Sequence, residues 1–199
     1  VYSQNQEEKK IVNYFAGREG RFLDVGAYDG KLFSNSLRLV ELGWSGVCVE
    51  PSPEPFRLLY LLHKDNPIIQ LENSAVCPSD GVVDFYDTSG DAVSTTDHTH
   101  KHKWEKGSKI KFKPIQVKSI SPKTLLGKYG NVYDFVNIDT EGTNLETLRG
   151  LVGAGLRFEL LCIEHDNKHP EIVAMFPGCQ PIEVNPENLI IWYKGWKNA

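Results

Sequence analysis

The sequence predicts an α/β fold, a mostly parallel sheet with helices on both faces that closes in an antiparallel hairpin. Three observations carry this. Short apolar runs alternate with helix-period segments along the chain, the pattern of successive β–α units. The run Arg21-Phe-Leu-Asp-Val-Gly-Ala-Tyr-Asp-Gly30 breaks a strand into a glycine turn, and the next apolar run ends in an acid, Glu50. The last two apolar runs, Ile182–Val184 and Leu189–Tyr193, are joined by Asn185-Pro-Glu-Asn188, which suits an antiparallel hairpin.

In chain order, Gln6 to Phe15 reads as a short amphipathic helix and Phe22–Val25 as the first strand. A helix from about Phe33 to Leu42 places Phe33, Leu37 and Val40 on one side and stops at Gly43. Val47–Val49 is the second strand. Ser52-Pro53 supplies an N-cap and a first-turn proline for a helix through His63, with Phe56, Leu59 and Leu62 inward. Ile68–Leu71 is a third strand, and Ser79-Asp80-Gly81 turns into a fourth, Val82–Tyr86.

From Thr88 to Lys113 the periodicity disappears, which predicts a long loop acting as a lid or binding segment. Ile115–Ile120 resumes as strand and Ser121-Pro122 opens a helix. Tyr133–Asp139 is a buried strand ending in an acid. Thr143-Asn-Leu-Glu146 reads as a capping box before Leu145, Leu148 and Leu151 at core spacing. Phe158–Ile163 is another buried strand, ending in Glu164-His165-Asp166. A short helix follows Pro170 and stops at Pro177-Gly178. No internal repeat or domain boundary is visible, so residues 1–199 read as one domain with the 88–113 segment inserted.

A length of 199 residues suits one well-buried core. The net charge of −4 offers no global attraction to nucleic acid or an anionic membrane. The sequence has no apolar stretch long enough to span a bilayer and no signal-peptide pattern. Cys48, Cys77, Cys162 and Cys179 lack C-x-x-C spacing, and the expectation is reduced thiols in a cytoplasmic protein.

Asp24, Glu50, Ser74, Asp139 and Glu164 fall at or just past strand ends on one edge, where open α/β sheets gather ligands. The glycine turn and the acid after the second strand suit an adenosine-containing cofactor. The turn's charge selects which one. Gly26 and Gly30 are spaced G-x-x-x-G, and the turn carries Asp24 and Asp29. Two carboxylates repel a pyrophosphate in a shielded site but attract the sulfonium and ammonium of S-adenosylmethionine. The turn therefore favours a methyl donor over a nicotinamide dinucleotide.

Further pieces lie in a specific order: Tyr2-Ser3-Gln4 with Glu7, Phe22–Gly30, Ser34-Asn35-Ser36, Gly43-Trp44-Ser-Gly46 and Val49-Glu50-Pro51-Ser52-Pro53. Asn73-Ser74-Ala75-Val76, Tyr133–Gly142 and Ile163-Glu164-His165 complete the set. Together they resemble the FkbM-type family of S-adenosylmethionine-dependent methyltransferases. The resemblance implies a class I, Rossmann-like methyltransferase with a seven-stranded, mostly parallel sheet. It implies action on oxygen, often a hydroxyl of a sugar or polyketide-like small molecule.

It also implies a donor site made of Asp24, Gly26, Ala27, Tyr28 and Gly30 in the turn, with Asn35, Glu50, Ser74, Ala75 and Asp139. Glu50 is expected to accept both ribose hydroxyls, while Gly26 and Gly30 let the backbone approach the methionine moiety. The helix start near Lys31–Asn35 is expected to receive the donor's carboxylate. Ser74 or its neighbouring amides would read the adenine edge. Asp139 and Glu141 border the reacting end.

An alcohol acceptor must lose a proton, so a base or a metal is expected. In one mechanism His165 is the general base, its imidazole held by a carboxylate. In the other, Asp139 with Glu164 or Asp166 holds Mg²⁺ through hard oxygen ligands. The base is preferred, with Asp139, Glu141 and His165 as the catalytic candidates. Glu141 has an equal structural reading, as an acid binding amides at the start of the following helix.

His98, His100 and His102 would share a face in an extended segment, a spacing open to zinc or nickel, although short histidine tracts are more often solvated. Lys101, Lys103, Lys106, Lys109, Lys111 and Lys113 make a solvated loop or a cover for an anionic acceptor. Trp104 would stack on a sugar or anchor the lid, and Trp44 is expected to pack beside Gly43. The expected partner is a small-molecule acceptor, anionic or a sugar, with no nucleic acid and no membrane. The alternatives are methylation of RNA or protein, a nicotinamide oxidoreductase, and a donor-binding module without activity.

Overall fold

The computed structural model of the chain describes residues 2–108 and 110–193, and Lys109 lies outside them. The elements begin with α1 (Glu7–Phe15), β1 (Arg21–Val25), α2 (Leu37–Glu41), β2 (Ser45–Val49), α3 (Pro53–His63), β3 (Ile69–Glu72) and β4 (Ala75–Val76). They continue with β5 (Gly81–Asp87), α4 (His98–Gly107), β6 (Lys113–Ile120), α5 (Pro122–Tyr129) and β7 (Val132–Ile138). Last come α6 (Asn144–Gly153), β8 (Arg157–Glu164), α7 (His169–Ala174), β9 (Gln180–Val184) and β10 (Asn188–Trp192).

Seven strands form the central sheet in the order β3-β2-β1-β7-β8-β10-β9. The first five are mutually parallel, while β10 runs antiparallel to β8 and β9 antiparallel to β10. The expected mostly parallel sheet with a terminal hairpin is therefore present. Its strands are apolar because both faces are covered. Alternate residues supply the two cores. Leu23, Val25, Val47, Val136, Ile138, Leu161 and Ile163 meet α5, α6 and α7 residues such as Leu125, Leu148 and Ile172. Phe22, Cys48, Phe135, Leu160 and Cys162 meet Ile11, Leu39 and Leu59 from α1, α2 and α3.

The structure departs from the sequence reading in several places. Strands β4, β6 and β5 leave the main sheet and make a second, three-stranded one, so the fourth predicted strand is not a member of the central sheet. The 88–113 segment is not a loop throughout, because α4 forms inside it with the Asp97 side chain accepting the Thr99 amide at 2.7 Å. Helix α2 starts only at Leu37. The Ser34 hydroxyl takes the amides of Ser36 and Leu37, and Phe33 is left at φ 59°, exposed. On α3 Pro55, Leu59 and His63 are buried and Phe56 packs against the core with Leu59 as expected, whereas Leu62 is exposed.

Two caps also differ. The Ser52 hydroxyl donates to Asp87 instead of capping α3. The Thr143 hydroxyl donates to Thr140, so no capping box forms at α6. Among the described residues no helix is long and apolar enough to cross a membrane.

Candidate active site

A cavity of about 400 Å³ opens at the carboxyl edge of the parallel strands. This volume lies within the range of small-molecule sites. The ends of β1, β2, β7 and β8 give it Asp24, Gly26, Glu50, Asp139, Glu141 and Glu164, and the start of β4 adds Ser74 and Ala75. Helix α4 roofs it with His100, Lys103 and Trp104.

The floor is a chain of buried amides and acids. Asp24 accepts from the Ser36 hydroxyl at 2.5 Å and from Asn137 Nδ2 at 2.9 Å. Asn137 Oδ1 in turn accepts from Asn35 Nδ2 at 3.0 Å. Burial pushes the Asp24 carboxyl above its ordinary range, and the two hydrogen bonds only partly offset that. Two buried oxygens on cavity residues, Oδ1 of Asn35 and Oδ1 of Asp139, have no hydrogen-bond partner among the described residues.

Glu50 stands at the end of β2, where its carboxylate organises the glycine turn. Oε2 accepts the Tyr28 amide at 2.9 Å and Oε1 the Ser52 amide at 2.7 Å. Each oxygen keeps a second lone pair for another donor. Burial raises its pKa to about 7 despite those two amides. Tyr28, held at φ 51°, sends its hydroxyl to the Gly90 carbonyl and so ties the turn to the segment that carries α4.

The far end of the cavity is crowded with acid. Asp139 sits well above the ordinary carboxylate range, through burial first and Glu141 second. Glu141 is pushed up to about 9 by burial and by Glu164 and Asp166. Asn144 Nδ2 donates to both Glu164 Oε2 at 2.6 Å and Asp166 Oδ2 at 3.0 Å. Glu141 has φ 53°, a left-handed backbone uncommon outside glycine and costing of order 1–3 kcal/mol. Its Oε2 lies 2.9 Å from Nε2 of His100.

Several site residues have different surroundings from those expected. Asp29 is absent from the cavity wall, because its Oδ1 accepts the amides of its own turn, Lys31 and Leu32. Two amides of the Lys31–Asn35 segment expected to seat the donor's carboxylate are thus engaged within the turn, and α2 starts after that segment, of which residues 32–35 line the cavity. Gly30 also lies off the cavity. A Cβ there would meet Leu59 Cδ1 at 2.6 Å, so its smallness serves α3 packing. Gly26 lines the cavity, but the close approach it permits is to the backbone of Asp139. Ala27 is buried on the wall with its amide donating to Val49. Ser74 spends its hydroxyl on Glu72 at 2.7 Å.

His165 is not in the cavity. Its Nε2 contacts the Asn185 carbonyl at 3.0 Å and its Nδ1 accepts the Asn167 amide at 3.0 Å, so no carboxylate holds the ring and neither nitrogen faces the site. Glu141 does not bind amides at the start of α6 but faces His100. Of the magnesium set expected from Asp139 with Glu164 or Asp166, the two latter carboxylates share Asn144 Nδ2. Among the described residues, no group of three or more His, Cys, Asp or Glu side chains is placed to hold a metal. The three histidines of α4 are split, since His98 and His102 stack with centroids 6.3 Å apart while His100 is buried against Glu141.

Sequence reasoning noted His100 and Trp104 but gave them no role together. Their four-residue spacing, following Asp97 as a helix cap, was the available signal. Trp44 is buried and structural, packed on Phe15 and beside Gly20, with its indole donating to the Arg18 carbonyl at 2.9 Å.

A seven-stranded sheet of this order, with a ligand-sized cavity at the carboxyl edge of its parallel strands, defines a class I methyltransferase fold. More narrowly, residues 24–180 match the methyltransferase FkbM domain, and the chain belongs to that family of S-adenosylmethionine-dependent methyltransferases. Family membership overturns the nicotinamide alternative. No curated protein matches the chain in sequence.

Among solved structures, the chain is similar to a Staphylococcus aureus protein assigned as a caffeoyl-CoA O-methyltransferase. The TM-score is 0.57 at 10% identity, over 98% of this chain and 86% of that one. An O-methyltransferase from Bacillus cereus, solved in complex with SAH, gives a TM-score of 0.52 at 11% identity over 96% and 81%. Monomeric WbdD gives 0.55 at 11% identity over 97% of this chain, which spans only 42% of WbdD.

Proposed function

We propose that this protein transfers the methyl group of S-adenosylmethionine to a hydroxyl oxygen of a small molecule. The observation that carries the reading is the pair of partnerless buried acceptors on the cavity wall, Asn35 Oδ1 and Asp139 Oδ1. A buried acceptor without a donor is costly, about 1–3 kcal/mol, and an ammonium supplies such donors. Asp139 and Asn35 would thus hold the amino end of the donor. Glu50, with its two spare lone pairs, would take the ribose hydroxyls.

The donor supplies an electrophilic methyl carbon on a positively charged sulfur. The chain's own residues do the rest. The acid-rich wall stabilises a cation in a shielded space, where Coulomb terms are several-fold larger than in water. Residues at the strand ends fix the reacting groups, and alignment alone is worth roughly 7–11 kcal/mol in comparable systems. Glu141, at the far end from Glu50 and with high proton affinity, is suited to receive a hydroxyl proton.

A hydroxyl acceptor is favoured over RNA because the net charge is −4 and the cavity wall is rich in carboxylates. Lys103, at the roof, would suit an acceptor that also bears an anionic group. The test is a turnover screen that detects S-adenosylhomocysteine across sugars, nucleotide sugars and phenolic acceptors, with and without Mg²⁺. Methylation of a hydroxyl acceptor without added metal is the expected result. Turnover confined to RNA or protein would overturn the acceptor class.

A further inference from the structure

His100 Nε2 lies 2.9 Å from Glu141 Oε2 and also 2.7 Å from Trp104 Nε1. An indole N–H only donates, so Trp104 uses Nε2 as its acceptor. The imidazole is then bare at Nε2. Facing an ionised carboxylate oxygen, a bare nitrogen would set lone pair against lone pair, so the contact to Glu141 is favourable when Glu141 holds the proton, its O–H sharing the single Nε2 lone pair with the indole N–H. Burial agrees, raising the Glu141 pKa to about 9 and lowering that of His100.

The helix that carries His100 is fitted to this spot. A Cβ on Gly142 would lie 2.9 Å from both Cβ and Nδ1 of His100, so only glycine lets the ring sit there. The Thr95 hydroxyl, just ahead of α4, donates to the Glu141 carbonyl at 2.6 Å.

We infer that His100 is a positioning residue that takes the proton of Glu141, freeing the Glu141 carboxylate to receive the acceptor's hydroxyl proton, while Trp104 holds the imidazole in its proton-accepting form. The inference rests on the O-methyltransferase reading of the cavity. In the first step, the Glu141 carboxyl proton passes to Nε2 of His100. Nδ1 keeps its own proton, the bond from Trp104 is lost, and a carboxylate and an imidazolium result. In the second, the acceptor's O–H proton goes to that carboxylate as the oxygen lone pair forms the bond to the methyl carbon. The carbon–sulfur electron pair stays with sulfur, which becomes neutral. The imidazolium then gives its extra proton to water.

The groups around the pair set its balance. Glu164, Asp166 and Asp97 favour the imidazolium and Lys103 opposes it. Glu164, Asp166 and Glu187 hold the proton on Glu141, and Lys103 loosens it.

The experiment is a pH titration, by nuclear magnetic resonance, of ¹⁵N-histidine-labelled protein saturated with S-adenosylhomocysteine. At neutral pH, His100 is expected to be protonated at Nδ1 and bare at Nε2. Trp104→Phe should raise its midpoint, and Glu141→Gln should lower it, each by about one pH unit. A protonated Nε2 in the wild type, or a midpoint that neither substitution moves, overturns the inference. In turnover with any acceptor found by the screen, His100→Gln should lower kcat about 100-fold and displace its pH profile, leaving the KM for the donor unchanged. An unaltered kcat and profile in that variant would equally overturn it. Absence of wild-type turnover on every hydroxyl acceptor speaks against the O-methyl reading instead, and the titration still decides the His100 pairing.

Discussion

The carbonyl oxygen of Asp139 lies 1.6 Å from where a Cβ on Gly26 would stand. The turn after β1 and the end of β7 therefore meet backbone to backbone, reinforced by the Asp139 amide on the Val25 carbonyl at 2.8 Å. This contact brings the glycine turn and the acidic end of the cavity together. The obstructing atom is backbone and cannot rotate away.

Gly26→Ala is accordingly expected to destabilise the protein by about 3 kcal/mol or more, combining overpacking with an alanine at φ 88°. Urea unfolding measures it. A loss below about 1 kcal/mol would mean the strands can part without cost.

His165→Ala should cost about 1–2 kcal/mol of stability, because a buried ring that bonds to Asn185 and Asn167 is lost. Its kcat should stay within a few-fold of wild type. A fall of about 100-fold or more would restore His165 as the base.

Glu50 and Glu141 give a pH signature. Both have folded pKa values raised above the ordinary glutamate value, to about 7 and about 9. The stability they contribute is fully present below that ordinary value and is lost as pH rises through 7 and then 9. His63 and His100 act in the opposite sense, since their folded pKa values are lowered, but that contribution is complete above about pH 6.5. The ligand-free protein should therefore lose thermal stability from about pH 6.5 to 9. Affinity for a cationic donor should rise over the same window, with proton release on binding. Thermal unfolding across that range, and calorimetry in buffers of different ionisation enthalpy, measure the two. A flat melting profile with no proton release contradicts the raised values.

The sequence was most readable where burial on both faces forces an unmistakable pattern. The strands leading to Asp24, Glu50, Asp139 and Glu164 are near-continuous apolar runs, so their acidic ends stand out. Helix α4 was invisible for the opposite reason. His-Thr-His-Lys-His-Lys-Trp-Glu-Lys-Gly has no apolar stripe, and its inward anchors, His100 and Trp104, are themselves polar. Asp24 and Asp29 looked alike in the turn, but one lies within β1 as a floor residue and the other, past the strand, binds the amides of its own turn, a distinction that spacing does not encode. His165 looked catalytic because it follows a strand end, whereas the partners that occupy its ring come from the hairpin and the adjacent turn.

Whether the acidic strand ends hold S-adenosylmethionine is tested most directly by isothermal titration of that donor into wild-type protein and into Glu50→Ala, which removes the carboxylate assigned to the ribose hydroxyls. Removing hydrogen bonds to a charged group of this kind costs about 1.5–3 kcal/mol each, so binding weaker by at least tenfold in the variant is expected. Equal affinity in both proteins, or no binding to the wild type, would contradict it.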